Sequence, residues 1–558
     1  MRRGDGRTGA SPRCFVLATA LAALIGAGSA AGEEIGTDAA ALVESGRRIY
    51  EEGVLSSGES LVGVRPGGFE AFGREVACAL CHQRSGLGLT EGAVPVPPVS
   101  GPALFRNEQP VTLGRTPLRA PGMQFRDYHF RTRPPYDDAS LARAIRDGVS
   151  PTGHPFNYLM PRYLLSDRDT QALLAYLRQL SDRPSAGVEG RMADFATVVA
   201  PGMDPQRRES YLGVLRACFA DRHPAPEPDD PPWLQGWRLH VWDLDGPPET
   251  WGRQLQECYA QQPVFALVSG LGGDVWSPVE QFCAQNRIPC LFPNVEVPGS
   301  PDGGRYSFHF YKGVLLEAQV AARYLKDRRA HQGISRVVQI SRREGSGARA
   351  ADALREALQG SGIPVEDRRL TVADGTDAAG LLDGLTAADA LVLWLREADL
   401  AALSTTVEPP PAGVVLVSGV LGGQEKAPLA DPWKRAALMV YPFDPPFRWE
   451  RRMAYNLRTW LGERGLPRAD ERLQGNTLTA CNLLSEGMLR MRGRYQRDYL
   501  VEWTENYPTG MGNAPAPQAF PRFSLGPGQR FSSKGAYIAR FSPTDPGRLE
   551  RVEDWIVP

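Results

Sequence analysis

Short apolar runs alternate with amphipathic stretches along most of the chain after residue 192. Apolar runs of this length between polar turns are typical of buried parallel strands, whereas apolar positions three and four residues apart are typical of helices. The predicted strands are 195–199, 239–242, 264–268, 337–340, 391–395 and 414–417, and the predicted helices are 204–218, 250–261, 314–326 and 348–359. This alternation predicts a bilobal α/β module that divides near Pro298, with ligands expected at the carboxyl ends of the strands.

The pattern between residues 40 and 182 is different, because its apolar positions predict helices joined by loops. Residues 138–148 form an amphipathic stretch closed by a glycine, and Ser166 with Asp169 provides a capping box for a later helix. Leucines at helical spacing in that later helix are expected to pack against an opening helix around 46–52. We therefore predict an all-α domain over 40–182, a linker over 183–192 and the α/β module over 193–558.

The first 31 residues have the organisation of a secretory signal peptide. Four arginines precede an apolar run over 15–27, and small residues follow at Ser29, Ala30 and Ala31. The run is shorter than the roughly 20 residues that a membrane-spanning helix needs. We therefore expect cleavage after Ser29 or Ala31, export to the periplasm and no stable membrane span.

The composition excludes several classes of function. Hydrophobic residues make up 42% of the chain and charged residues 23%, which excludes wholesale disorder and a membrane-embedded bundle. The formal net charge is -1, so no global field favours a nucleic acid as partner. Eight cysteines in 558 residues are too few for a disulfide-dense scaffold, so their positions are more informative than their number.

Cys78, Cys81 and His82 form a CxxCH sequence, which is the signature of covalent haem attachment. Two thiols three positions apart lie on one face of a helix and reach the two haem vinyl groups, and the adjacent histidine reaches the iron. A zinc knuckle would need a second Cys/His pair nearby, and a redox CxxC usually belongs to a βαβ unit; the surrounding sequence offers neither. The motif therefore predicts one covalently bound haem c.

A second axial ligand to the iron is expected from a later loop. Met160 is the best candidate, because its thioether sulfur is a soft ligand and it precedes the last predicted helix of the domain. A core methionine is the alternative interpretation. His154, His129 and Met123 are competing ligands, of which His154 shares the loop with Met160.

With these residues in place, the segment 40–182 resembles small class I c-type cytochromes, in which a Met-Pro pair before the last helix carries the axial sulfur. Met160 and Pro161 occupy that position here. The resemblance implies covalent attachment through the two cysteines of the motif and iron ligation by His82 and Met160. It also implies one-electron transfer to and from a redox partner protein.

The module over 193–558 resembles type I periplasmic solute-binding proteins, the class that includes the branched-chain amino-acid receptors. Three stretches, beginning VVAPGMDPQRRESY, VFALVSGLGGDVWS and YSFHFYKGVLLEAQ, carry this resemblance. In that class the loop after the third strand helps to hold a small molecule in the interlobe cleft. The corresponding residues here are Ser269, Gly270, Leu271 and Gly272. They depart from the Gly-Pro and Ser/Thr cluster usual in the class, so the ligand is left open. Tyr306 and Tyr441 are candidates for the cleft wall, with the core as the alternative.

Motifs for nucleotide binding or catalysis are absent from the sequence: there is no P-loop, no GxGxxG after the first strand and no GxSxG elbow. We therefore do not expect an enzyme. The turn 342–347 (RREGSG) follows a predicted strand and precedes a predicted helix, so its backbone N–H groups are candidates for holding an anion. An ordinary strand-to-helix connection is the alternative.

Five cysteines remain once the signal peptide and the haem motif are set aside: Cys218, Cys258, Cys283, Cys290 and Cys481. An odd number permits at most two disulfides. Helices on the same face of a doubly wound sheet would bring Cys258 near Cys283, whereas buried thiols are the alternative. The sequence leaves the pairing open.

These features support three hypotheses of function. The first is an exported electron carrier with one haem, whose α/β module senses a small molecule or docks a partner. A single haem offers no site for two-electron oxidation of a substrate. The second is a periplasmic solute receptor of an uptake or sensing system, closing by a hinge between its lobes, in which the haem is accessory. The third is an electron-transfer subunit of a periplasmic dehydrogenase complex.

Overall fold

The computed structural model describes residues 30–65, 67–91, 94–106, 133–222, 236–299, 304–371, 380–443, 455–491, 493–507, 520, 523–545 and 547–558. They form two compact units. The N-terminal unit consists of the described residues up to Ala186 together with Met488–Glu502. The C-terminal unit consists of the described residues of Gly187–Gly487 and Trp503–Pro558. The predicted signal peptide lies outside the described residues except for its last two positions.

The N-terminal unit combines helices with short strands. Its helices are α1 (Ala30–Glu52), α2 (Cys78–His82), α3 (Gly101–Phe105), α4 (Asp138–Asp147) and α5 (Asp167–Gln179), and its strands are β1 (Val62–Arg65), β2 (Phe69–Phe72), β3 (Leu89–Glu91), β4 (Val94–Val96) and β5 (Arg162–Leu164). Strands β2, β1 and β5 form an antiparallel sheet, and β3 pairs with β4. The prediction of an all-α domain over 40–182 is therefore wrong. These strands have three or four residues each, too few for an alternating pattern to stand out.

Helices α1 and α5 cross at a glycine. A Cβ atom on Gly46 would lie 2.0 Å from the carbonyl oxygen of Ala172, so glycine alone permits this close approach. Beside the crossing, the ring centroids of Tyr50 and Tyr176 lie 5.4 Å apart, and Leu173 is buried. The predicted packing of the leucine-rich helix against an opening helix is confirmed.

Both predicted helix starts in this unit are confirmed by their caps. Helix α4 begins after Asp137, whose carboxylate accepts a hydrogen bond from the backbone N–H of Ser140, and it ends at Gly148 in the left-handed conformation. Helix α5 begins after Ser166, whose hydroxyl accepts a hydrogen bond from the backbone N–H of Asp169. These local signals set the positions of the two helices.

The remaining elements follow the predicted alternation. The helices are α6 (Pro205–Arg222), α7 (Trp251–Gln261), α8 (Ser277–Asn286), α9 (Val314–Gln332), α10 (Ser346–Ala357), α11 (Glu397–Thr406), α12 (Asp431–Ala436), α13 (Tyr455–Glu463), α14 (Glu471–Met491) and α15 (Arg497–Glu505). The strands are β6 (Val188–Glu189), β7 (Met192–Val199), β8 (Gly236–Asp243), β9 (Ala266–Val268), β10 (Cys290–Leu291), β11 (Ser307–Phe308), β12 (Arg336–Arg342), β13 (Val365–Leu370), β14 (Asp389–Trp394), β15 (Val414–Ser418), β16 (Ala437–Tyr441), β17 (Ala536–Phe541) and β18 (Leu549–Ile556). Each strand and helix predicted from the alternation is present. Within the described ranges, no helix is both long enough and apolar enough to cross a membrane.

Two sheets give the C-terminal unit its two lobes. In the first lobe β7 lies between the parallel strands β8 and β9, and β10 and β11 follow in order. In the second lobe β12 lies between β13 and β14, β15 and β16 follow in parallel, and β17 and β18 add an antiparallel edge. Both lobes are thus doubly wound sheets with the parallel order 2-1-3-4-5. The predicted bilobal α/β fold is confirmed.

A disulfide joins Cys218 on α6 to Cys481 on α14. Helix α14 follows strands β12–β16 of the second lobe in the sequence, but this bridge holds it against the first lobe. The Cys258–Cys283 bridge considered from the sequence is not formed. Both cysteines do lie in one apolar core, together with Cys290, and all three are buried thiols.

Candidate functional site

The CxxCH motif folds as the short helix α2. Cys78 is its first residue and His82 its last, and Cys78 and Cys81 are thiols that are not joined in a disulfide. His82 is 7% exposed, and its Nδ1 lies 2.9 Å from the carbonyl oxygen of Pro97. A histidine whose Nδ1–H is held by a carbonyl presents its Nε2 atom to a metal.

Burial sets the protonation of these groups. It raises the pKa of Cys78 to about 12, so Cys78 is a thiol rather than a thiolate at neutral pH. Burial also lowers the pKa of His82, and the hydrogen bond to Pro97 opposes that shift. His82 is therefore neutral at pH 7, and the neutral imidazole is the form that binds a metal.

Met160 is half-buried and packs on the same apolar core as Cys78. Its competitor in the same loop, His154, is exposed, and the His154 ring is hydrogen-bonded within its own turn. The other two candidates, His129 and Met123, lie outside the described residues. Of the candidate ligands that the structure describes, Met160 is the one that packs on the same apolar core as Cys78.

The residues of this site fit a covalently bound haem c. Two thiols three positions apart on one short helix, a neutral imidazole whose Nδ1 is engaged, and a thioether on the same apolar core are the donor types that such a group needs. Nowhere in the described ranges do three or more His, Cys, Asp or Glu side chains come together as a metal-binding group.

A distant segment of the chain holds the loop that follows α2. Glu502 on α15 accepts hydrogen bonds from the backbone N–H of Ser85 at 3.1 Å and from its hydroxyl at 2.6 Å, and both residues are buried. The hydroxyl of Ser181 donates to the carbonyl oxygen of Ser85 at 2.6 Å. The sequence pattern predicts Glu502 to be in the C-terminal module, because a pairing across 417 residues leaves no local signal.

The four predicted ligand residues follow β9 and are all buried. Backbone N–H groups of Ser269, Leu271 and Gly272 donate to carbonyl oxygens of neighbouring strands and their extensions. The hydroxyl of Ser269 accepts a hydrogen bond from Asn294 Nδ2 at 3.0 Å. These residues, with Gly270 between them, extend the sheet, and their role in binding a ligand stays a prediction.

The two lobes meet at the carboxyl ends of their strands through an ion pair. Glu296, which follows β10, accepts two hydrogen bonds from Arg396, which follows β14, with N–O distances of 2.8 and 2.6 Å. Ser346 at the start of α10 donates a third hydrogen bond to this carboxylate. Burial opposes the ionisation of Glu296, but Arg396 and Ser346 outweigh burial and hold its pKa below the ordinary value. The turn that the sequence marked as an anion site thus faces a carboxylate of the opposite lobe.

A second polar contact between the lobes is centred on Arg472 at the start of α14. Its guanidinium donates to Glu425 and to the hydroxyl of Tyr441, and it lies 4.8 Å from the ring centroid of Phe443. Tyr441, at the end of β16, therefore lies at the interlobe contact, and burial raises its pKa. Tyr306 is buried just before β11 begins, so it lies at the amino end of that strand, whereas the interlobe contact lies at the carboxyl ends of the strands. No sequence pattern predicts the roles of Glu296, Arg396 and Arg472, because a charged residue after a strand is common on any surface.

Glu317 on α9 is fully buried at the carboxyl end of β15. The hydroxyl of Ser418 and the backbone N–H of Val420 donate to its carboxyl group. Burial raises the pKa of Glu317 to about 8; these hydrogen bonds oppose the shift, and the charge of Glu296 adds to it. Glu317 is therefore mostly protonated at pH 7.

The C-terminal unit is expected to lose stability as the pH rises from about 4.5 to about 8. In that window the unfolded chain has lost the Glu317 proton and the folded chain retains it. The contribution of Glu317 to the free energy of unfolding therefore falls by at most about 1.4 kcal/mol per pH unit. Glu317→Gln should remove this contribution. Urea unfolding at a series of pH values measures it, with Glu356→Gln on the exposed surface of α10 as the matched control. Equal pH slopes for the wild type and Glu317→Gln would contradict the expectation.

Two doubly wound lobes that meet through polar side chains at the carboxyl ends of their strands have the fold of a periplasmic binding protein. Residues 238–445 match the family model described as periplasmic binding protein. The search of curated proteins found no match. Residues 238–445 of the C-terminal unit are thus similar to periplasmic binding proteins.

Several solved structures are similar to this chain. A fatty acid ABC transporter substrate-binding protein from Thermomonospora curvata has 12% identity and a TM-score of 0.47, covering 67% of this chain and 95% of its own. A leucine binding protein from Thermotoga maritima has 12% identity and a TM-score of 0.46, covering 65% and 99%. A branched chain amino acid ABC transporter from Thermus thermophilus with bound valine has 12% identity and a TM-score of 0.47, covering 66% and 97%.

Proposed function

We propose that the C-terminal unit binds a small solute between its two lobes, as an exported solute-binding protein. The observation that carries this proposal is the contact of Glu296 with Arg396 and Ser346 across the lobes, at the strand ends where a doubly wound sheet binds its ligands. The family match over 238–445 supports it. A solute that touches both lobes would favour the closed arrangement by its greater affinity for that arrangement.

Arg396→Gln is expected to weaken solute binding about tenfold, because it removes two charge-assisted hydrogen bonds that join the two lobes. A thermal-shift screen of amino acids, fatty acids and short mono- and dicarboxylates on the full chain identifies a solute that raises the unfolding midpoint. Calorimetry then compares the affinities of the wild type and the variant for that solute.

The matched control is Arg540→Gln, which removes an exposed Arg–Glu pair, Arg540 with Glu550, from the edge of the second-lobe sheet. This variant should bind the solute with unchanged affinity. A screen without any stabilising solute, or equal affinities of Arg396→Gln and the wild type, would contradict the proposed binding site.

We also propose that the N-terminal unit carries one covalent haem c, because the CxxCH helix, the His82 hydrogen bond to Pro97 and the half-buried Met160 fit that group. When bound, the haem would supply one-electron transfer with a redox partner protein. In this proposal Cys78 and Cys81 hold the macrocycle and His82 and Met160 bind the iron. The chain would then be an electron carrier or a subunit of a dehydrogenase complex as well as a solute receptor.

Export to the periplasm is part of both proposals. The arginines and the apolar run of residues 1–31 support it. The disulfide between Cys218 and Cys481 supports it independently, because such bonds persist in oxidising compartments.

A further inference from the structure

Three of the five lysines in this chain line a single cavity. The chain has 63 basic residues, and all but these five are arginines. Lys312, Lys326 and Lys534 line a cavity of about 790 Å³ between α9 and the segment 528–534. Lys426 and Lys434 do not line it. Most of the few lysines in this arginine-rich chain therefore line one cavity.

The lining of this cavity is cationic. Arg323, Arg530 and Pro558, the last residue of the sequence, line it as well, and no aspartate or glutamate side chain of the described residues does. Each of these arginines is paired with a carboxylate: Asp327 lies 3.4 Å from Arg323, and Glu505 lies 2.6 Å from Arg530. No aspartate or glutamate side chain of the described lining balances the charge of the three lysines.

The three lysines have no carboxylate partner among the residues that the structure describes. Lys534 Nζ donates to neutral acceptors, the carbonyl oxygen of Ser524 at 3.0 Å and Oε1 of Gln529 at 2.7 Å. Lys312 Nζ lies 5.2 Å from the ring centroid of Phe531. Burial lowers the pKa of Lys534, so a bound anion would stabilise its charged form.

We propose that this cavity binds a multivalent phosphate-bearing anion. Lysine ammonium groups bind phosphate as compact point charges, whereas arginine prefers a flat bidentate pairing with a carboxylate. The ammonium groups around one cavity repel one another. A bound multivalent anion offsets this repulsion, because it attracts each of them. The cavity is separate from the interlobe contact, because neither Glu296 nor Arg396 lines it.

Competitive acetylation of the full chain tests the proposal with internal controls. At a sodium pyrophosphate concentration about ten times its Kd, acetylation of Lys312, Lys326 and Lys534 should slow about tenfold, because only the unbound protein reacts. Lys426 and Lys434 should react at unchanged rates. Sodium chloride of equal ionic strength is the reference, since it screens charge without filling the site. Mass spectrometry of peptides reports each lysine separately.

Vesicles of phosphatidylglycerol distinguish the source of the phosphate, with phosphatidylcholine vesicles as control. Protection by pyrophosphate supports a soluble ligand, and protection by phosphatidylglycerol alone supports a lipid headgroup. Calorimetry with pyrophosphate should show about tenfold weaker binding for Lys312→Gln and Lys534→Gln, and unchanged binding for Lys426→Gln and Lys434→Gln. If neither probe protects the three lysines, or if all five are protected equally, the cavity is not a phosphate site.

Discussion

Replacing Cys78 and Cys81 by serine is expected to leave the exported protein without covalently bound haem. Thioether bonds to the vinyl groups need both cysteine sulfurs, and iron ligation by His82 and Met160 alone does not survive denaturation. The wild type and the double variant would be produced in a host that matures c-type cytochromes. A haem-stained denaturing gel and the intact mass should show one haem per wild-type chain and none on the variant.

Two single variants separate haem attachment from other effects. Cys258→Ala removes a buried thiol of the C-terminal unit and should retain the haem. Met160→Ala should also retain it but lower the reduction potential, because a thioether ligand favours ferrous iron. Wild-type protein that matures without covalent haem would refute the haem proposal. An unchanged potential in Met160→Ala would assign the axial position to another residue.

Removing the Cys218–Cys481 bridge is expected to lower the free energy of unfolding of the C-terminal unit by about 2–5 kcal/mol. The two cysteines are separated by 263 residues, so the bridge removes much of the conformational freedom of the unfolded chain. Urea unfolding of the wild type and of Cys218→Ser/Cys481→Ser measures the difference. Reductant should lower the wild-type midpoint and leave that of the double variant unchanged.

Thiol titration provides an independent measurement of the bridge. In the denatured and unreduced mature protein, Cys258, Cys283 and Cys290 should react, and Cys218 and Cys481 should not. Cysteines joined to haem do not react either, which keeps the two predictions separable. Reaction of Cys218 and Cys481 before reduction would show that the exported protein lacks the disulfide.

The parallel strands and the capped helices were predictable because their signals are local. Strands β14 and β15 are buried along their whole length, so they read as unbroken apolar runs. Ser166 and Asp169 mark the start of α5 within four residues of sequence. The CxxCH motif is local in the same sense. These features predict the fold class of the C-terminal unit, and the CxxCH motif is the basis of the haem site proposed for the N-terminal unit.

The contacts that shape both sites were not predictable, because each joins residues far apart in the sequence. Glu296 and Arg396 are separated by 100 residues, and Ser85 and Glu502 by 417. The sequence around one residue of each pair carries no signal that identifies its partner. The pairing of β17 with β16 in the second-lobe sheet was not predictable for a related reason, since β16 precedes β17 by about a hundred residues.

Helix α14 makes the first lobe discontinuous in sequence. Cys481 on this helix is bridged to Cys218, and Asn476 donates to Asn294 at 3.2 Å, so the helix is part of the first lobe although the second-lobe strands β12–β16 come before it. During synthesis the first lobe therefore emerges without one of its helices. That helix follows strands β12–β16 in the sequence, so the first lobe is completed only after most of the second lobe has been made.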